Sequence, residues 1–258
     1  MPPSNVSWAI TEPLGILTFT RPAARNALTW DMYEALERAC DAADDDPRIR
    51  ALIIRGSGGA FAAGTDIAQF AGFSSGADGL AYERRLDALA DRLERVRVPT
   101  IAEVDGAAVG GGCLIAAVCD LRICSPRARF GVPVARTLGN CLSMANLARL
   151  VDLIGPARTR DLLLTARLVD ATEALSIGLA TRIVEQEALS AEVETLAREL
   201  ATRASSTITA TKTLLRRLRE ARTPPPGAAD DVIAACYGSE EFREGVAAFT
   251  EGRVPRFS

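Results

Sequence analysis

Hydrophobic positions along this chain follow two periods, one of two residues and one near 3.6, and the switches between them mark its elements. Ser7 to Thr11 and Gly15 to Thr20 alternate and carry β-branched residues, and Pro13-Leu14-Gly15 breaks them into a predicted hairpin that Arg21-Pro22 ends. Leu28, Met32, Leu36, Ala39 and Ala43 then recur at helical spacing, with Thr29 as a cap and Asp44-Asp45-Asp46-Pro47 as a stop. Ala51-Leu52-Ile53-Ile54 is a short unbroken apolar run, the pattern of a strand buried on both faces. Leu80 to Val96 reads as a charged amphipathic helix, and Pro99 opens a strand over Thr100 to Val104. Gly110-Gly111-Gly112 precedes a helix that includes Cys113 to Val118, and Leu121 to Cys124 is another short strand.

Strand, glycine-rich loop and helix thus occur twice in succession, first around Gly56-Ser57-Gly58-Gly59-Ala60-Phe61-Ala62-Ala63-Gly64 and again around Gly110-Gly111-Gly112. That order predicts an α/β fold with functional loops at the carboxyl ends of strands. Leu142 to Ile154 and Pro156 to Thr165 read as two helices around Gly155; Ala171 to Ile177 is a helix ended by Gly178, and Thr181 to Val184 is the last strand. From Ala188 onward the pattern is helical, interrupted by Pro224-Pro225-Pro226-Gly227. Such a layer packs on its own core or on another subunit.

Composition removes several classes of function. The 258 residues suffice for a large core, and a net charge of −3 argues against a nucleic-acid surface or a polybasic membrane patch. No stretch reaches the roughly 20 apolar residues that span a bilayer, and Met1-Pro2-Pro3-Ser4-Asn5 lacks the features of a signal peptide. The six cysteines form no C-x-x-C pair and mostly lie in apolar runs, so a reducing, cytoplasmic setting without metal is expected. The chain contains no histidine, which excludes Ser–His and Cys–His pairs and a histidine base. Acid–base chemistry is left to carboxylates, Cys, Tyr, Lys, water or the substrate.

The triple glycine at a helix start is an anion site, for a phosphate or for an oxyanion that exists only during reaction, or else a tight turn. Gly56-Ser57-Gly58-Gly59 lacks the Gly-Lys-Ser/Thr ending of a phosphate loop, and its glycine spacing does not fit a dinucleotide fingerprint.

Four segments, in order and covering essentially the whole chain, resemble the crotonase (enoyl-CoA hydratase/isomerase) superfamily. Arg21-Pro22-Ala23-Ala24-Arg25-Asn26-Ala27-Leu28 is similar to its R-P-x-x-x-N-A-L, and Phe61-Ala62-Ala63-Gly64-Thr65-Asp66-Ile67 to its F-x-A-G-x-D-I. Ile101 to Gly112 resembles I-A-x-V-x-G-x-A-x-G-G-G, and Phe242 to Phe249 resembles R-E-G-x-x-A-F. The resemblance implies a spiral of ββα units over residues 1–195 and a helical, trimer-forming region over 196–258, with trimers often paired into hexamers. It implies an acyl thioester of coenzyme A as substrate and no separate cofactor. It places the N–H groups of Thr65 and Gly111 in an oxyanion hole for the thioester oxygen. Arg25 would meet coenzyme A phosphates, Ala27, Ala63, Ile67 and Gly110 would lie along the ligand, and Asp66 would hold the loop or touch the ligand.

The chain departs from the pattern at both glutamates that place water in the family's hydratases. The first position is Leu114; the second, after Phe130-Gly131-Val132-Pro133, is Val134, and a one-residue shift brings only Ala135. Neither leucine nor valine transfers protons. Asn140 and Cys141 lie at a predicted helix start, where a thiol pKa falls. Cys141 is therefore a candidate acid, base or nucleophile, or a space-filling residue beside an Asn140 cap, and Asn140 and Ser143 are candidates for polar contacts. Arg136 faces the acyl pocket or solvent, and strand alternation leaves the face of Glu103 open.

Overall fold

The predicted hairpin is β1 (Val6–Thr11) and β2 (Leu14–Phe19), antiparallel with Val6 opposite Phe19 and Thr11 opposite Leu14. In the computed structural model, which describes residues 5–257, α1 (Trp30–Asp45) then buries Met32, Leu36, Ala39 and Ala43, the stripe seen in the sequence. The first four residues of the segment tested for a signal peptide lie outside the described residues. β3 (Ala51–Gly56) runs parallel to β2, and α2 (Gly76–Glu94) follows. This helix starts four residues before the apolar pattern, because the Asp78 carboxylate accepts from the N–H groups of Ser74 and Ser75, both at 2.8 Å.

The remaining order is β4 (Thr100–Val104), β5 (Ala107–Val109), α3 (Gly111–Val118), β6 (Leu121–Cys124), β7 (Arg129–Gly131), α4 (Val134–Thr137), α5 (Met144–Thr165), β8 (Val169–Asp170), α6 (Ala171–Ser176) and β9 (Arg182–Ile183). α7 (Leu189–Ala201), α8 (Ser205–Glu220), α9 (Asp230–Tyr237) and α10 (Glu240–Thr250) complete it. α5 breaks at Gly155, where φ is 75°, as the two predicted helices require. Its cap is Ser143, whose hydroxyl accepts from the Asn146 N–H at 3.1 Å; the helix begins at Met144, beyond Asn140 and Cys141.

Two sheets alternate along the chain. β1-β2-β3-β4-β6-β9 form the larger one, parallel from β2 onward, and β5-β7-β8 form the smaller. β3, β4 and β6 enter the large sheet; the segments that follow, Ala62 through its bridge to Ala108, then β5, then β7, enter the small one. Each pair is followed by helix, which makes the ββα spiral. The inner strands β2, β3, β4 and β6 of the large sheet are buried on both faces, which explains their continuous apolar runs, whereas β1 at the edge is exposed. One face packs with α1, α2 and α3, and the other is covered by Leu189, Val193 and Ala197 of α7. α7 crosses residue 195 as one unbroken helix. Among the described residues no helix is long and apolar enough to cross a membrane.

The two sheets leave no room at Gly112, where a Cβ would lie 2.2 Å from the Ala62 carbonyl oxygen. Gly112→Ala therefore pushes the first loop off the second. Overpacking of this kind costs about 1–3 kcal/mol, so chemical denaturation of Gly112→Ala is expected to show a midpoint lowered accordingly.

Candidate active site

The first loop is pinned from both sides. The Ala62 N–H donates to Ala107 O and the Val109 N–H to Ala62 O, both at 2.9 Å. On the other side Leu28 N–H donates to Gly64 O at 2.7 Å and Asp66 N–H to Leu28 O at 2.8 Å. Asn26 holds the segment before it, its amide nitrogen donating to Ser57 O at 2.9 Å and Ala60 O at 2.7 Å. Gly64 sits at φ 102°, a conformation that side chains avoid, and a Cβ there would come within 3.2 Å of Val109 O.

This clamping brings the Thr65 and Gly111 backbones together. A Cβ on Gly111 would lie 3.6 Å from Thr65 N, so the two backbones are nearly in contact. Gly111 opens α3, where the first N–H groups have no helical acceptor. Neither the Thr65 nor the Gly111 N–H donates to an acceptor among the described residues. The Thr65 hydroxyl lies between two phenols, 2.7 Å from Tyr33 OH and 2.7 Å from Tyr82 OH. Burial pushes both phenols well up, so they remain neutral.

Thr65 and Gly111 line a cleft of about 190 Å³ together with Ala63, Gly64, Ile67 and Gly110. Its far wall is apolar: Leu114, Val132, Val134, Leu138 and Leu142, with Phe249 of α10 at one edge. Leu114 and Val134 thus line the cleft itself, hydrocarbon at the two positions where the resemblance implies carboxylates.

Asn140 also lines the cleft. Its amide nitrogen donates to Tyr237 OH at 3.0 Å, while its Oδ1 is buried without a hydrogen-bond partner among the described residues. Tyr237 in turn donates to Glu83 Oε1 at 2.5 Å, and the Ser143 N–H donates to Glu83 Oε2 at 2.9 Å. Glu83 lies on α2, is 3% exposed and reaches the same cleft. Burial pushes its carboxyl up to about 7; the bonds from Tyr237 and Ser143 pull it down, and Asp87 and Cys236 push it further up. The sequence reading missed Glu83. The signal was a charged residue on the stripe of Gly79, Tyr82, Leu86, Leu89, Ala90 and Leu93 that α2 buries.

The other expected residues lie elsewhere. Cys141 is outside the cleft lining, and a hydrogen bond to the Cys236 thiol, then burial, push its own thiol up. The expected lowering has no source, because the helix dipole begins three residues later at Met144. The Asp66 carboxylate is taken by Arg21 at 2.6 Å and by the Ala68 N–H at 3.1 Å, so it braces the loop. Ala27 serves the same brace, its carbonyl accepting from Arg21 at 3.1 Å. Arg25 is exposed beside the loop, its carbonyl accepting from the Ala63 N–H at 3.0 Å. Arg136 is exposed outside the lining, and Glu103 faces α7, where Ser190 donates to it at 2.6 Å.

A sequence profile described as enoyl-CoA hydratase/isomerase matches residues 10–258. The chain belongs to the enoyl-CoA hydratase/isomerase family. It is 37% identical over 248 residues to a probable enoyl-CoA hydratase of Mycobacterium bovis, covering 96% of this chain and 95% of the relative. It is 33% identical over 259 residues to a crotonyl-CoA hydratase of Syntrophomonas wolfei, covering 98% and 97%. A solved methylmalonyl-CoA decarboxylase in complex with 2-nitronate-propionyl-CoA superposes with a TM-score of 0.90 at 28% identity, covering 99% of this chain and 98% of that one.

A raised carboxyl pKa has a sign in stability. Between 4.5 and about 7 the folded protein holds a proton on Glu83 that the unfolded chain has released, so folding is favoured at the acid end and weakens as pH rises. Denaturation of the wild type and Glu83→Gln across this range is expected to show a difference that grows on the order of 3 kcal/mol from pH 4.5 to 7, with the wild type losing stability relative to the variant.

Proposed function

We propose that this chain is an acyl-coenzyme A enzyme that polarises a thioester carbonyl between the N–H groups of Thr65 and Gly111 and works through the resulting enolate. The observation that carries this reading is the pair of unengaged N–H groups, one at a helix start, facing an apolar cleft. When the α-carbon loses a proton or another group, negative charge collects on the thioester oxygen. Two fixed donors hold that charge without reorganising, and one such donor supplies about 3 kcal/mol. Arg25, exposed beside the loop, would meet the phosphates, and the thioester would pass Ala63, Ile67 and Gly110, which line the cleft. The relatives named as hydratases favour addition of water to an enoyl thioester.

A second reading within the same site is cleavage of a carboxylate from the α-carbon. It is supported by the hydrocarbon at Leu114 and Val134 and by the likeness to a decarboxylase of this fold. Loss of carbon dioxide leaves the electron pair as the same enolate and needs no base, and an apolar wall destabilises the departing carboxylate more than the neutral product. Incubation in D2O with crotonyl-CoA, butyryl-CoA and methylmalonyl-CoA separates these outcomes by hydration, α-deuterium and carbon dioxide release. Tight binding with none of the three overturns the enzyme and leaves an acyl-CoA-binding protein.

Removing one donor tests the hole itself. Proline is tolerated at a first helical position and lacks the N–H; a Cβ at Gly111 would meet Tyr33 OH at 2.6 Å, so the substitution is made with Tyr33→Phe. Gly111→Pro in that background is expected to lower turnover ~10²- to 10³-fold relative to Tyr33→Phe alone, with affinity for coenzyme A kept.

The reading includes a homotrimer or a hexamer of paired trimers. α8 leaves Leu214, Leu215 and Leu218 59%, 62% and 61% exposed, an apolar stripe that a second copy would cover. Sedimentation is expected to give a trimer or hexamer; a stable monomer contradicts it.

A further inference from the structure

We propose that Glu83 is the proton carrier of this cleft, exchanging a proton with the α-carbon of the bound thioester. The inference rests on the oxyanion-hole reading and deepens it. The two positions from which a carboxylate was expected are Leu114 and Val134, yet a carboxyl group enters the same cleft from α2. It is held in place by two donors, Tyr237 OH at 2.5 Å and the Ser143 N–H at 2.9 Å, one to each oxygen. A carboxylate has about four lone-pair positions, so both oxygens keep acceptor capacity toward the cleft. Ser143 is itself fixed, its hydroxyl donating to Asp87 at 2.5 Å and accepting from the Asn146 N–H at 3.1 Å. Beside the carboxyl, Asn140 Oδ1 is buried and unpartnered among the described residues, an acceptor that a donor on the ligand would complete.

The step balances. A Glu83 oxygen takes the proton as the Cα–H bond breaks. The released pair forms the bond between the α-carbon and the carbonyl carbon, and the carbonyl π pair moves to the oxygen held by Thr65 and Gly111. Reversal returns a proton to the α-carbon, and the same carboxylic acid protonates the enolate left by loss of carbon dioxide. The groups facing Glu83 are Tyr82 and Asp87 on its own helix, Tyr33 of α1, Ser143, Asn140 and Cys141 before α5, and Cys236 and Tyr237 of α9. Burial places the carboxyl near 7, where both forms are populated at neutral pH.

The test is exchange of the butyryl-CoA α-protons in D2O, followed by mass spectrometry. The wild-type rate is expected to rise with pH through an inflection near 7, because the base form does the work. Glu83→Gln keeps the shape and is expected to lower the rate ~100-fold or more and abolish the inflection, with melting and coenzyme A affinity checked on the same sample. Tyr237→Phe removes a bond that favours the carboxylate and is expected to move the inflection upward; this arm stands even if Glu83→Gln does not fold. No exchange by a wild type that hydrates crotonyl-CoA or releases carbon dioxide from methylmalonyl-CoA overturns Glu83 as carrier of the α-proton, and the absence of all three reactions overturns the enolate reading itself. Exchange by the wild type that Glu83→Gln matches, or an inflection that Tyr237→Phe leaves in place, overturns the role of Glu83 alone.

Discussion

The constraint on which this structure depends is the bridge between Ala62 and Ala108. Two backbone hydrogen bonds, Ala62 N–H to Ala107 O and Val109 N–H to Ala62 O, join loops that lie far apart in sequence. They also tie the segment that follows β3 of the large sheet to β5 of the small one. Were the loops to part, the Thr65 and Gly111 backbones, where a Cβ on Gly111 would lie 3.6 Å from Thr65 N, would separate with them. The glycines follow from the bridge rather than the reverse. At Gly112 a Cβ would occupy the Ala62 carbonyl, and at Gly64 the chain must turn through φ 102° to present Thr65. Strands, helix start and loop are one interlocked arrangement, the rigidity that the proposed oxyanion hole would need in order to be preorganised.

A hole made of backbone fixes where charge develops and leaves the choice of reaction to side chains. Here the side chains around the two donors include hydrocarbon lining the cleft, Leu114 and Val134, and phenols that burial keeps neutral, Tyr33 and Tyr82. Among the residues lining this cleft, Glu83 alone carries a carboxyl group, and it is held by a chain of bonds reaching from Asn140 through Tyr237. Tyr237 comes from α9, so the C-terminal helices, besides presenting the apolar stripe of α8, hold the carboxyl. Phe70, Phe73, Tyr82, Tyr237 and Phe242 pack ring on ring between them and the first loop, with centroids as close as 4.9 Å. Edge-on aromatic pairs of this kind contribute about 0.5–1.5 kcal/mol each beyond area burial, enough to fix α9 and α10 beside the cleft, which Phe249 of α10 lines.

The parts of the fold that depend on periodicity were legible in the sequence. The hairpin, β3, β4, β6, α1 and the break at Gly155 follow from alternation, unbroken apolar runs, a helical stripe and a glycine. The small sheet was not legible, because β5 and β7 have three residues each and β8 two, too short to show a period of two. The start of α5 was misplaced for a related reason. Asn140 and Ser143 are both good caps, and the choice of Ser143 is made by Asp87 and Glu83, more than fifty residues away. The misplacement carried a chemical conclusion with it, since Cys141 was given the field of a helix that begins beyond it.

The backbone half of the site and its proton-carrying half differ in how sequence records them. Loop donors need glycine and small residues at fixed spacing, so Ala63-Gly64-Thr65 and Gly110-Gly111-Gly112 are local signatures. A side-chain carboxyl can reach the same atom from any element that passes the cleft, and its identity is then local to nothing. Glu83 was visible only as a violation, a charged residue in the buried register of an amphipathic helix. Burying it costs free energy unless its oxygens are paired, and the fold meets that requirement with a tyrosine from α9 and a backbone N–H before α5. A position where three separated elements cooperate to keep one charge out of water serves no packing purpose that leucine would not serve better. That excess of arrangement over packing need is the physical ground for assigning Glu83 a chemical role.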